Sequence, residues 1–299
     1  MQMVFLGTSS MVPTKERNVS GIYLEYDGEG ILFDCGEGTQ RQMNIAGLNR
    51  NKIRKILISH WHGDHVSGLI GLLQTMGNGQ VSHTVRIWGP KGTSMRMHHL
   101  VQSVVHEGKM PIEVEELEPE GVETFFKGKG YSLVCAPLSH TTESLAYALV
   151  EHDTRKMSVS KAEKLGVRPG PLLGKLQRGH SVEYKGKTIS PDDVSSVSRG
   201  KKVCVVYDTE MTPVIVDIAK GADVLVAEAT YMERHADKAA SHKHMTASQV
   251  AQLAGQAGVK RLILTHFSQR YASVSDLEAE AQAVFPESVC AHDLLKVRI

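Results

Sequence analysis

Cysteine is scarce and scattered in this chain. Cys35, Cys135, Cys204 and Cys290 show no paired spacing across 299 residues. That excludes a disulfide scaffold or a thiolate-built metal knot, and leaves them as small buried hydrophobes. Long apolar runs are missing too. The longest, such as Leu69 to Met76 and Val203 to Tyr207, fall far short of the roughly 20 residues that cross a bilayer. The opening MQMVFLGTSS reads as a strand and turn and lacks the charged, apolar and small-residue zones of a secretory signal. No membrane partner and a cytoplasmic location are therefore expected. Aromatic residues make up only 5%, against 41% hydrophobic and 22% charged. This is the balance of a globular chain able to bury one large core or two moderate ones.

Excess charge of either sign is also lacking overall, but the net +1 conceals an uneven distribution. Arg155 to Lys202 holds twelve Lys or Arg against four Asp or Glu, a formal +8, so the remainder carries −7. A basic stretch on an acidic body suggests a polyanionic partner.

No internal repeat is evident. Short β-rich runs alternate with helical patterns near 40–48, 66–76, 92–105, 213–220, 246–257 and 275–284. MVFLG is followed by GIYLEY and ILFDCG around DGEG, a strand and then a hairpin. KILISH, TVRIWG, YSLVCAPLSH, SLAYALVEH, KVCVVYD, DVLVAEAT, RLILTHF and LLKVRI follow as further strands. Early hairpins and later strand–helix alternation predict a layered α/β fold with mixed sheets. Residues 152–202 break the rhythm and read as an inserted arm within a single domain spanning 1–299.

What the chain has in abundance is histidine, fifteen in all. Four apolar strands run into a metal-ligand type of residue: KILIS into His60, CAPLS into His140, VCVVY into Asp208 and LILT into His266. Carboxyl ends of strands converge on one edge of an α/β sheet, where ligands bind. After the first strand, His60-Trp61-His62-Gly63-Asp64-His65 packs three imidazoles and a carboxylate into six residues. On a loop, side chains two apart can converge on one metal while Asp64 and His65 turn toward a second. Imidazole with carboxylate, and no cysteine nearby, suits a catalytic zinc site. Two metals about 3.5–4 Å apart can clamp the attacking and leaving oxygens of a displacement.

HWHGDH, with later His140, Asp208 and His266, resembles the metallo-β-lactamase superfamily over nearly the whole chain. The resemblance implies an αβ/βα sandwich of two mixed sheets flanked by helices, with two Zn2+ per chain at its edge. His60, His62 and His140 would hold one zinc, Asp64, His65 and His266 the other, and Asp208 would bridge them.

Further motifs resemble the ribonuclease Z family of tRNA 3′-processing endonucleases. Pro13, Lys15, Arg17 and Asn18 match its PxKxRN loop, and a Lys and Arg on a turn beside the metal edge could grip phosphates. Glu228-Ala229-Thr230 matches the end of its HEAT motif, with Ala227 in place of the histidine. His244-Met245-Thr246 matches its H-S/M-T motif. GVRPGPLLGKLQRG, from Gly166 to Gly179, resembles its glycine–proline arm, a protrusion without a core of its own, and brings Lys175 and Arg178 toward RNA. Arg270, in HFSQRY, would approach the scissile phosphate. The resemblance implies cleavage of precursor tRNA after the discriminator nucleotide, leaving a tRNA 3′-hydroxyl and a trailer 5′-phosphate. Asp64, Glu228 and His244 form the implied catalytic set: Asp64 handles the attacking water, and His244, oriented by Glu228, protonates the leaving 3′ oxygen. A homodimer, each arm serving the partner's site, is implied as well. Another hydrolase of the same fold, or a non-catalytic RNA-binding protein, stays open as an alternative.

Overall fold

A computed structural model describes residues 1–79, 81–105, 110–168 and 170–299. Two compact units divide the chain. Met1–Lys127, Leu133–Leu149 and Lys202–Ile299 make the first; Gly128–Ser132 and Val150–Lys201 make the second.

The first unit contains two seven-stranded sheets. One runs in the order Lys296–Arg298, Gln2–Gly7, Gly21–Tyr26, Glu29–Phe33, Ile53–Leu57, Val85–Pro90 and Ile112–Leu117. Its hairpin closes through Asp27 and Gly28, both at positive φ (48° and 81°), as an Asp-Gly two-residue turn requires. From Glu29–Phe33 onward the strands are parallel. The other sheet runs Ser288–Cys290, Leu262–Thr265, Val224–Glu228, Lys202–Val206, Ser144–Glu151, Tyr131–Leu138 and Glu123–Lys127. Its first four strands are parallel, joined by the helices Pro213–Ala219, Ala247–Ala257 and Ser275–Val284. Strands covered on both faces read as continuous apolar runs, which is why VLVAE at Val224–Glu228 is buried throughout.

Between the sheets Phe33 meets Tyr147, ring centroids 6.5 Å apart, and Tyr147 Oη donates to the Ile58 carbonyl at 2.8 Å. A buried side chain such as Phe33 contributes roughly 1.5–3 kcal/mol. Outside, Leu225, Ala227, Val250, Leu253 and Leu262 pack the second sheet onto its helices. Ile56, Leu69, Leu72 and Ile87 do the same for the first.

The expected layered arrangement is thus present, with two strands that the sequence reading passed over. IEVEEL at Ile112–Leu117 and ETFFK at Glu123–Lys127 are the outermost strands of their sheets. Charged edge strands of this kind carry no long apolar run because one side faces water. The expected helix at 66–76 is two helices, Gly63–Val66 and Leu69–Asn78.

The second unit carries two small ladders, Thr154–Met157 with Ser195–Ser198 and Val182–Tyr184 with Lys187–Ile189. Its helices are Val159–Lys164, Pro171–Gln177 and Pro191–Val194. A core was not expected here, yet Ala162, Val167, Leu176, Val182, Ile189 and Val194 are buried against one another. These residues stand singly in the sequence, so no apolar run announces them. Lys175 and Arg178 are exposed; Pro169 lies outside the described residues.

Candidate metal centre

The four strand ends meet at one edge of the first unit. The strands end at Leu57, Leu138, Val206 and Thr265, and His60, His140, Asp208 and His266 follow within one to three residues. His60 Nε2 lies 3.0 Å from His62 Nδ1, and His140 Nε2 lies 3.4 Å from the same atom. His65 Nε2 lies 3.2 Å from His266 Nε2 and 3.4 Å from Asp64 Oδ2. Asp208 stands between the two groups. Its Oδ2 is 3.6 Å and 3.8 Å from His60 and His140, while its Oδ1 is 3.5 Å and 3.2 Å from His65 and His266. All seven expected ligands are brought together. His60, His62, His140 and Asp208 form one set of donors within 4.8 Å of one another, and Asp64, His65 and His266 form another.

Four of the imidazoles are also bonded through Nδ1, which directs Nε2 toward the other donors. His65 Nδ1 donates to Asp34 Oδ2 at 2.6 Å. His60 Nδ1 donates to Ser59 Oγ at 3.0 Å, whose hydroxyl donates to Asp34 Oδ2 at 2.6 Å. His140 Nδ1 donates to the Lys243 carbonyl at 2.9 Å, and His266 Nδ1 to Thr230 Oγ1 at 3.0 Å. Such outward bonds fix tautomer and ring orientation in metal sites. Asp34 was not among the candidates from sequence, although it too is an acid at a strand end, after Ile31-Leu32-Phe33. Asp64 is held by the Met11 amide, which donates to Oδ2 at 2.8 Å. Met11, Asp34, Lys243 and His266 all have positive φ, 54–60°. Non-glycine residues in this region are strained, and strain of this kind collects at functional sites.

The site fits a cation on two independent grounds. Asp208 Oδ1 is buried and accepts no hydrogen bond among the described residues, an expensive position unless a cation compensates. Asp64 and Asp208 also stay ionised although burial opposes it. His266 and His65 hold Asp64 well below the usual carboxylate range, and His266, His65 and His244 do so for Asp208. Buried carboxylates ringed by imidazoles make a metal-binding donor set.

Beside the donors, Glu228 is fully buried at the end of its strand. It accepts from the Thr209 amide at 2.9 Å, from Thr230 Oγ1 at 2.6 Å and from His244 Nδ1 at 2.8 Å. Burial disfavours a charged His244, but Glu228 and then Asp208 outweigh it and raise its pKa to about 9. Thr246 caps the helix that follows, accepting from the Gln249 amide while Gln249 accepts from the Thr246 amide, a capping box. That cap fixes where the chain leaves His244. Asp64, His140, Asp208 and His244 line a single cavity of about 760 Å³, together with Met11 and Tyr231.

Over all of its residues the chain is 40% identical to the ribonuclease Z of Methanothermobacter thermautotrophicus, covering 97% of that protein. The chain belongs to the ribonuclease Z family. The crystal structure of human tRNase Z, short form, superposes on it with a TM-score of 0.75 at 28% identity, covering 100% of this chain and 99% of that one. The metallo-β-lactamase fold protein YhfI from Bacillus subtilis superposes with a TM-score of 0.70 at 17% identity, over 99% and 98% of the two chains, so the fold is the metallo-β-lactamase fold. Residues 1–158 also match the family described as anti-Pycsar protein Apyc1.

Two ribonuclease Z motifs look different once placed. Ala227, where the HEAT motif has histidine, faces the apolar layer with Leu225, Ala229 and Val250, on the strand face opposite Glu228. The substitution removes nothing from the metal edge. Arg17 was expected to grip substrate phosphates. Instead it is buried and its guanidinium donates to the Tyr271 carbonyl at 2.7 Å, so it braces the loop that carries Arg270. Asn18 is likewise engaged, its amide donating to Asp293 Oδ2 at 2.7 Å and its carbonyl accepting from Thr8 and Ser9. Lys15 remains exposed. Arg270 is exposed on the cavity wall, its guanidinium 4.8 Å from the Tyr231 ring centroid. Among the described residues no helix is long and apolar enough to cross a membrane.

Proposed function

We propose that this chain is a zinc-dependent endoribonuclease that removes the 3′ trailer from precursor tRNA after the discriminator nucleotide. It would leave a 3′-hydroxyl on the tRNA and a 5′-phosphate on the trailer. The observation that carries the reading is the position of Asp208, one oxygen toward each donor set, with the His244–Glu228 pair opening on the same cavity. His60, His62 and His140 would hold one Zn2+, Asp64, His65 and His266 a second, and Asp208 would serve both. Bound there, the metal supplies Lewis acidity toward the phosphate and acidifies water.

The chain's own groups supply the proton traffic. Asp64, ionised and held by the Met11 amide, orients the attacking water and accepts its proton. His244, charged near neutrality and anchored through Nδ1 to Glu228, gives its Nε2 proton to the leaving 3′ oxygen. Glu228 positions His244 and does not itself reach the substrate. The second unit, with most of the excess positive charge, binds the tRNA body by its shape and phosphates. Lys15, Arg270, Lys175 and Arg178 are the proposed RNA contacts. A cytoplasmic homodimer in which each arm serves the partner's site completes the reading.

The test is to incubate the protein with a 3′-extended precursor tRNA, with and without a chelator, and map both new ends. Cleavage after the discriminator that the chelator abolishes supports the reading. Hydrolysis of a thioester with the precursor left intact would overturn it in favour of another hydrolase of this fold.

A further inference from the structure

We infer that a second groove beside the metal cavity, built around Arg234, His235 and Lys238, holds backbone phosphates of the RNA next to the scissile one. The inference rests on the endoribonuclease reading above. The groove has a volume of about 670 Å³ and shares Ser268, Gln269 and Arg270 with the metal cavity, so one wall serves both. A strand of RNA whose scissile phosphate sits at the metals could pass over that wall into it.

Its chemistry is that of an anion site. Arg234 lies in the 3-10 turn Glu233–His235 and Lys238 in the helix Ala236–His242 that follows, and both line the groove. Both are exposed, and neither they nor Arg270 have an acidic partner among the described residues. Among the described residues, no carboxylate lines the groove. Arg270 reaches the shared wall with its Nε donating to Ser268 Oγ at 3.0 Å, which leaves both terminal nitrogens for a phosphate. His235 is held neutral between these cations. Tyr271 Oη accepts from the Met232 amide at 3.0 Å and is hydrogen-bonded to His235 Nδ1 at 2.8 Å, which leaves Nε2 directed away from this pair. Desolvation first, and then Arg270, Arg234 and Lys238, disfavour protonation of this ring. Three cations thus converge on one imidazole. Unpaired cations brought together around an open groove repel one another, and a polyanion relieves that repulsion.

The test is the double variant Arg234→Ala/Lys238→Ala assayed on 3′-extended precursor tRNA across a salt series. KM at low salt should rise about tenfold while kcat stays within about twofold. The slope of log KM against log salt should become shallower by about 1.4, two lost contacts at roughly 0.7 each for a single strand. Arg234→Lys/Lys238→Arg should keep the wild-type slope. Should the alanine pair fail to fold, Lys238→Glu alone is read in the same way. A variant with wild-type KM and slope overturns the groove assignment while leaving the nuclease reading intact. A wild-type protein that leaves precursor tRNA uncut overturns both.

Discussion

Asp34 Oδ2 and His65 Nδ1 lie 2.6 Å apart with both side chains fully buried. The same carboxylate accepts from the Ser59 amide at 2.7 Å and from the Ser59 hydroxyl at 2.6 Å, so one acid orients both His65 and, through Ser59, His60. Asp34→Asn cannot accept all three bonds and would leave a buried donor unpaired. Metal affinity is expected to fall about 10–100-fold, read by competition with a chromophoric chelator. Wild-type affinity in a folded Asp34→Asn protein would show that the acid plays no part in orienting the ligands.

Metal removal is expected to abolish hydrolysis and to lower the thermal midpoint. Two ions per chain are expected, because seven donors in two sets exceed what one tetrahedral ion takes. Ligand at a hundred times its dissociation constant adds about 2.7 kcal/mol of stability per site. Elemental analysis checks the count. One tightly held ion in a fully active preparation would sink the two-metal reading.

His244→Ala should slow cleavage by roughly 10²–10⁴-fold, the usual range for a lost general acid, with metal content unchanged. A phosphodiester with a much better leaving group should largely escape the defect. Equal losses on both substrates would remove His244 from the proton-donor role.

Glu228→Gln tests the same pair through pH. The folded pKa of His244 is raised to about 9, above an unfolded value near 6.5. Its contribution to stability is therefore full below about pH 6.5 and is lost as pH rises through about 9. Activity that needs the proton should fall along the same upper limb. With the Glu228 carboxylate gone, Asp208 alone opposes the effect of burial, and the limb should move to lower pH. A limb that stays in place would mean that Glu228 does not hold the proton on His244.

The second unit can be removed cleanly, because Thr154 and Ser198 are paired neighbours in an antiparallel ladder. Replacing residues 155–197 by a tight Asn-Gly turn takes away its whole core and crosses no proposed metal ligand. Processing of precursor tRNA should be lost, while bis(p-nitrophenyl) phosphate should still be hydrolysed. Equal loss on both substrates, with metal content intact, would argue that the unit supports the fold and not the RNA.

The seven donors were legible because each sits at the end of an apolar strand or in one dense hexapeptide, patterns that local sequence carries. The hairpin turn at Asp27-Gly28 and the cap at Thr246 were determined in the same way, by residues that act on their own backbone. The tertiary structure alone decided the rest. Asp34 followed the same strand-end pattern, yet only its distance from His65 shows what it does. Arg17 looked like a phosphate grip until its guanidinium was found on the Tyr271 carbonyl, 254 residues away. Ala227 could be judged only once its strand face was known, and the core of the second unit only once six isolated apolar residues met. The pairing of His65 with His266, 201 residues apart, marks the physical divide. Propensity and capping act within a few residues, whereas a ligand's tautomer, an acid's pKa and a cation's partner depend on distances that exist only after the two sheets have packed.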